Sequence, residues 1–167
     1  MSVVAAPSVV TAPSEWARQL ARSMMPRPLF MFLARLYTSV CGIHAIGWKR
    51  WRDLQKTIRG LPEAEHVQFE FPNLTHPISI RPGTSDGIEL VHTVVRECYG
   101  EYLPRGSVRL IVDAGANIGD STSWYLSRFA DARVVAIEPA RDTFALLKQN
   151  IQKYGSRGEF RRIPCWR

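Results

Sequence analysis

The chain has 167 residues, 46% hydrophobic and 22% charged, a balance that excludes a disordered or fibrous protein and fits one folded domain with its own core. A net charge of +7 and an isoelectric point near 9.8 permit weak attraction to polyanions, but no long run of like charge marks a specific nucleic-acid-binding tail, so a solvated basic surface is expected. Cys41, Cys98 and Cys165 are widely spaced, without a Cys-x-x-Cys pair or a Cys/His cluster; no metal site is expected, and the setting is read as reducing and cytoplasmic.

Residues 1–14, rich in Ala, Val, Pro and Ser, lack the basic flank and continuous apolar run of a secretory signal and read as a flexible tail. Residues 15–60 read as a helical region. A first helix is expected from the N-cap Ser14 through Trp16, Leu20 and Met24, with Arg18 and Arg22 on one side, until Pro26 and Pro28 stop it. Leu29–Trp48 follows as the most apolar stretch, long enough to span a bilayer but carrying Arg35 near its middle and His44 beyond. A buried or surface-lying helix is expected, and Arg27, Lys49, Arg50 and Arg52 around it make residues 29–52 a candidate for membrane-surface contact.

Residues 61–106 read as a hairpin and helix leading into the main domain. Val67, Phe69 and Phe71 alternate with Gln68 and Glu70, the period of a half-buried strand; Pro72-Asn73 marks a turn, and Ile78 and Ile80 a second short strand that Pro77 confines to an edge or a strand start. A helix is then expected with Ile88, Val91, Val95 and Cys98 on its apolar face, opened by Asp86 and Glu89 as a capping box. From residue 107 the pattern changes. Val108–Val112 reads as a strand covered on both faces, followed by a glycine turn, a helix carrying Leu126 and Phe129, a strand at Arg133–Ile137, a helix with Phe144, Leu147 and Ile151 on one side, and a third strand at Glu159–Ile163. The order β-α-β-α-β implies a parallel sheet.

The chemistry concentrates in Asp113-Ala114-Gly115-Ala116-Asn117-Ile118-Gly119-Asp120. A strand ends in a carboxylate, and a turn with two glycines opens a helix whose start offers free N–H groups. Open α/β sheets bind ligands at the carboxyl ends of their strands, where this turn must lie. Glu138, at the end of the next strand, can accept both hydroxyl protons of a ribose, and Pro139 suits the first turn of the helix that follows. Asn117 interrupts the Gly-x-Gly-x-x-Gly dinucleotide pattern, and the Asp113 charge beside the turn repels a pyrophosphate while suiting a cationic ammonium and sulfonium. S-adenosylmethionine meets those requirements better than NAD. His66, His76 and His92 precede the turn without a partner at a telling distance, and no catalytic base is named.

The run Arg81-Pro82-Gly83-Thr84-Ser85-Asp86, then Glu101-Tyr102, Ile111–Ser121, and Glu138-Pro139 with Phe144, Leu146, Leu147, Lys148 and Asn150 resembles the FkbM-type methyltransferases over about Phe71–Ile163. The resemblance implies an α/β, Rossmann-like class I methyltransferase fold, with Asp113, Gly115, Ala116, Asn117, Gly119 and Glu138 around S-adenosylmethionine. It further implies O-methyl transfer to a small-molecule or glycan hydroxyl acceptor. Thr84, Ser85 and Asp86 would border the site, although they also read simply as a helix N-cap. The family's common Asn after Glu-Pro is Ala140 here. Only the first β-α-β-α-β half of such a fold, residues 107–167, is expected, preceded by helices and a short β-hairpin; the chain is read as a C-terminally truncated member whose activity is in doubt because the acceptor-binding half is absent. A sheet edge left open in this way would invite self-association. The alternatives are a non-catalytic interaction or membrane-surface fragment and an NAD-dependent oxidoreductase.

Overall fold

The computed structural model describes residues 19, 23–61, 63–104 and 106–163. The expected tail, Ser14, Trp16, Arg18, Leu20, Arg22 and Cys165 lie outside them. Helix α1 runs from Arg27 to Ile46, with Pro26 as its N-cap and Pro28 in its first turn, positions where a missing N–H costs nothing. It does not reach Trp48. Gly47, at φ 81°, ends α1 with its N–H on the Ile43 carbonyl and opens a separate helix, α2, over Trp48–Ile58. The two helices cross closely at Gly42, where a Cβ would come within 2.1 Å of the Trp51 ring.

Strands β1 (Val67–Phe69) and β2 (Ile78–Ile80) form the expected antiparallel hairpin, pairing Val67 with Ile80 and Phe69 with Ile78. Helix α3 covers only Asp86–Leu90 and continues as a π-turn over Val91–Val95. The expected helix through Cys98 is therefore too long: Glu97 takes φ 47°, Cys98 is exposed past the end, and Ile88 faces outward. Val91, Val94 and Val95 are buried in the core, at the i, i+3, i+4 spacing that gathers side chains on one helical face.

The second unit alternates β3 (Leu110–Ala114), α4 (Asp120–Arg128), β4 (Arg133–Ile137), α5 (Arg141–Ile151), a 3₁₀ segment at Gln152–Arg157, and β5 (Gly158–Arg161). The three strands form one parallel sheet in the order β3-β4-β5, so the α/β reading holds, with the third strand two residues shorter at its C-terminal end than expected. Register places Ile111, Val134 and Ala136 on one face, packed with Leu126, Leu147, Ile151 and Tyr154. Among the described residues the other face is left open at β3: Leu110 is 62% and Val112 61% exposed. The expectation of a strand buried on both faces was wrong, because an unbroken apolar run reports a demand for cover on two sides, and among the described residues both helices of this unit lie on one.

Helices α1 to α3 and the hairpin build a second apolar cluster that includes Ile118 and Leu146, tying it to the sheet unit. Asn150 of α5 makes the polar joint. Its amide accepts from the Ser79 N–H at 2.9 Å and donates to the Ser79 and Ile118 carbonyls at 3.0 and 2.9 Å, so hairpin, glycine turn and α5 meet on one buried side chain.

Candidate cofactor site

Parallel pairing of β3 with β4 sets Asp113 against Ala136 and Ala114 against Ile137, which brings the glycine turn and Glu138 to the same end of adjacent strands. The turn folds by repeated use of the left-handed region: Gly115 at φ 84°, Asn117 at φ 48° and Gly119 at φ 88°. The first and third lack a Cβ, and Asn tolerates that region better than most residues. The two glycines serve different ends. A Cβ on Gly119 would meet Leu147 Cδ1 at 2.9 Å and Ile151 at 3.0 Å, whereas a Cβ on Gly115 would meet nothing within 4 Å. Gly119 lets α4 pack against α5; Gly115 borders open space.

Several of the turn's N–H groups are used internally. Gly115 and Ala116 both donate to the Ile137 carbonyl, at 2.9 and 3.0 Å. Asn117 donates to Glu138 Oε2 at 3.0 Å. Glu138 is correspondingly only 7% exposed, and its other oxygen accepts from the Ala140 N–H at 2.8 Å, capping the approach to α5. Ala140 is the N-cap of that helix, so Pro139 stands before the helix and not in its first turn. Asp113 Oδ2 accepts the hydroxyls of Ser121 and Thr122 at 2.7 and 2.5 Å. A carboxylate offers about four acceptor positions, so Asp113 and Glu138 both retain capacity for a ligand's donors.

Asp86 does not cap α3. It is fully buried, and its carboxylate takes the Arg81 Nε and Nη2 at 2.8 Å each and the Arg81 N–H at 3.0 Å. Burial pushes the Asp86 carboxyl up, but the Arg81 side-chain and backbone bonds outweigh it and hold the group below its ordinary value. Ser85 is the N-cap, without a side-chain cap bond, and Thr84 Oγ1 accepts from the Asp86 N–H at 3.2 Å and donates to the Arg81 carbonyl at 3.0 Å. The Arg81 guanidinium is raised chiefly by its bond to Asp86, with smaller contributions from Asp142 and Glu138. Arg81 thus fastens the Thr84–Asp86 segment from its N-terminal side, a role its position within the quoted motif left unassigned.

Asp120 was also left unassigned. It is buried at the first position of α4, and burial pushes its carboxyl up to about 6 despite hydrogen bonds from Thr93 and its own backbone; the charges of Asp113 and Glu89 add to the rise. Two tyrosines, Tyr99 and Tyr125, lie with ring centroids 5.9 Å apart. Burial raises both phenols, Tyr125 to about 12, and Asp113 contributes to each. His76 packs edge-on against the Tyr154 ring at 4.7 Å, a packing contact. A groove of about 750 Å³ lined by Arg50, Lys56, Val67 and Phe69 includes none of the turn residues.

No family model matches the chain, and no curated protein matches it. Among solved structures, it is similar to coclaurine N-methyltransferase bound to N-methylheliamine and SAH, at 13% identity and a TM-score of 0.33, over 91% of this chain and 44% of that one. The chain thus spans less than half the length of that neighbour, and a score of this size establishes no shared fold.

Proposed function

We propose that the chain is an S-adenosylmethionine-binding protein of the FkbM methyltransferase type, with the 113–120 turn and Glu138 as the cofactor cradle. The observation that carries this reading is the bond from the Asn117 N–H to Glu138 at 3.0 Å. It joins two motif residues across adjacent strand ends, next to a glycine whose missing Cβ leaves space open. The donor set fits the cofactor's chemistry: two carboxylates at one sheet end suit a ribose diol and a cationic amino acid moiety.

Bound there, S-adenosylmethionine would supply an electrophilic methyl group for transfer to an acceptor hydroxyl. Glu138 would accept from the ribose hydroxyls while continuing to hold the turn. Asp113, oriented by Ser121 and Thr122, would face the positively charged end. Gly115 would allow backbone approach. The contribution of these residues to methyl transfer is alignment of donor and acceptor.

Calorimetric titration with S-adenosylhomocysteine tests the reading, with NAD⁺ as comparator. Binding of the first and not the second is expected, and Glu138→Gln, confirmed folded by circular dichroism, should weaken it by about tenfold or more, since a charge-assisted hydrogen bond is lost. A folded wild-type chain that gives no heat with S-adenosylhomocysteine would refute it.

A further inference from the structure

The chain's charge is unevenly distributed. From position 61 onward thirteen basic residues are balanced by thirteen acidic ones, whereas the first sixty positions hold nine basic residues and two acidic, Glu15 and Asp53. The whole net charge of +7 therefore belongs to the segment that precedes the hairpin and the sheet.

That segment also carries an uncovered apolar stripe. Leu29, Phe32, Leu33, Leu36 and Val40 recur at helical spacing along α1, and all are exposed, Phe32 at 62%, Leu36 at 52% and Val40 at 55%. Spacing of i, i+3, i+4, i+7 and i+11 gathers them on one face. The helix is long and apolar enough to cross a membrane, but its last turns are committed to the globular body. Gly42 and Ile46 are buried, with Trp51 against Gly42. Too few residues stay free to cross a hydrocarbon layer that needs about 20, and Arg35 interrupts those that do.

Exposed apolar surface of this extent marks a docking face, and the charges beside it identify the occupant. Arg27 opens the helix, Arg35 lies along it, and Lys49 follows it; none of the three forms an ion pair among the described residues. Trp48, also exposed, sits at the junction with α2, an amphipathic ring suited to a headgroup boundary. We infer that α1 docks the protein on an anionic lipid surface, its leucine, phenylalanine and valine stripe in the headgroup–acyl boundary and its basic side chains against lipid phosphates.

Co-sedimentation of the full chain with vesicles of equal parts phosphatidylcholine and phosphatidylserine tests this, with phosphatidylcholine vesicles as comparator and light scattering to follow the oligomeric state. Binding to the mixed vesicles is expected, about tenfold or more weaker to phosphatidylcholine alone and reduced by salt. The double variant Phe32→Asp, Leu36→Asp alters only exposed positions; it should keep the circular dichroism of the parent and lose the vesicles. Absence of a folded protein from the mixed-vesicle pellet overturns the inference, as does binding that the double variant retains. Self-association without vesicle binding, abolished by the double variant, also overturns it and assigns the stripe to a second copy of this chain.

Discussion

Gly115 and Gly119 adopt nearly the same backbone angle for different reasons, and the same substitution separates them. Alanine at Gly115 meets open space and pays only for its left-handed backbone, about 1 kcal/mol. Alanine at Gly119 adds a collision with Leu147 and Ile151, for a total of about 3 kcal/mol. Urea denaturation should rank the two in that order, while calorimetry with S-adenosylhomocysteine should show Gly115→Ala folded but impaired in binding; equal losses of stability would contradict this division. Asp120 makes a second prediction at this scale. Its folded carboxyl, pushed up to about 6 from an ordinary 3.8, keeps its proton to higher pH than in the unfolded chain. Folding then takes up a proton between those values, so stability falls as pH rises through the window and the loss is complete above it. Asp120→Asn removes the ionisation, and its stability relative to wild type should rise by about 2 kcal/mol between pH 4 and pH 7. Parallel stability curves for the two proteins would rule out this role.

Asn150 shows how elements are joined. With only 1% exposure, it satisfies both backbone groups of Ser79 and the Ile118 carbonyl, so Asn150→Ala strands three buried polar groups and should cost about 3 kcal/mol by chemical denaturation. Its loss should also loosen the hairpin, seen as faster amide exchange at Ser79. The sequence marked Asn150 only as part of a family pattern, because nothing local connects a residue in α5 to one in β2. The hairpin, by contrast, was legible: alternation at Val67–Phe71 and the Pro72-Asn73 turn are short-range signals. Gly47 was overlooked as a helix boundary. An isolated glycine in an apolar run is tolerated within a helix, and its φ of 81° became visible only where α1 and α2 diverge. The Asp86 cap failed for a related reason. Spacing identified a carboxylate at a helix start, but Arg81, five residues earlier, folded back to claim it.

At the scale of the molecule the two proposed sites lie on different parts of the chain, the cradle at the carboxyl ends of β3 and β4 and the lipid-facing stripe on α1. They should therefore act independently: Phe32→Asp, Leu36→Asp is expected to leave S-adenosylhomocysteine affinity unchanged, and Glu138→Gln to leave vesicle binding unchanged. Reciprocal loss in the two assays would mean that the sites are coupled. The amino-acid sequence alone determined the alternation of strands and helices from residue 107, the glycine turn and the two acids that frame it, because those depend on local periodicity, glycine stereochemistry and the ends of single elements. Only the tertiary structure decided where each acid's oxygens are spent, which sheet face is covered, that Arg81 folds back on Asp86, and that the α1 stripe stays bare. Those outcomes depend on contacts between residues far apart in the chain, and side-chain periodicity states a preference for burial without naming the surface that will meet it.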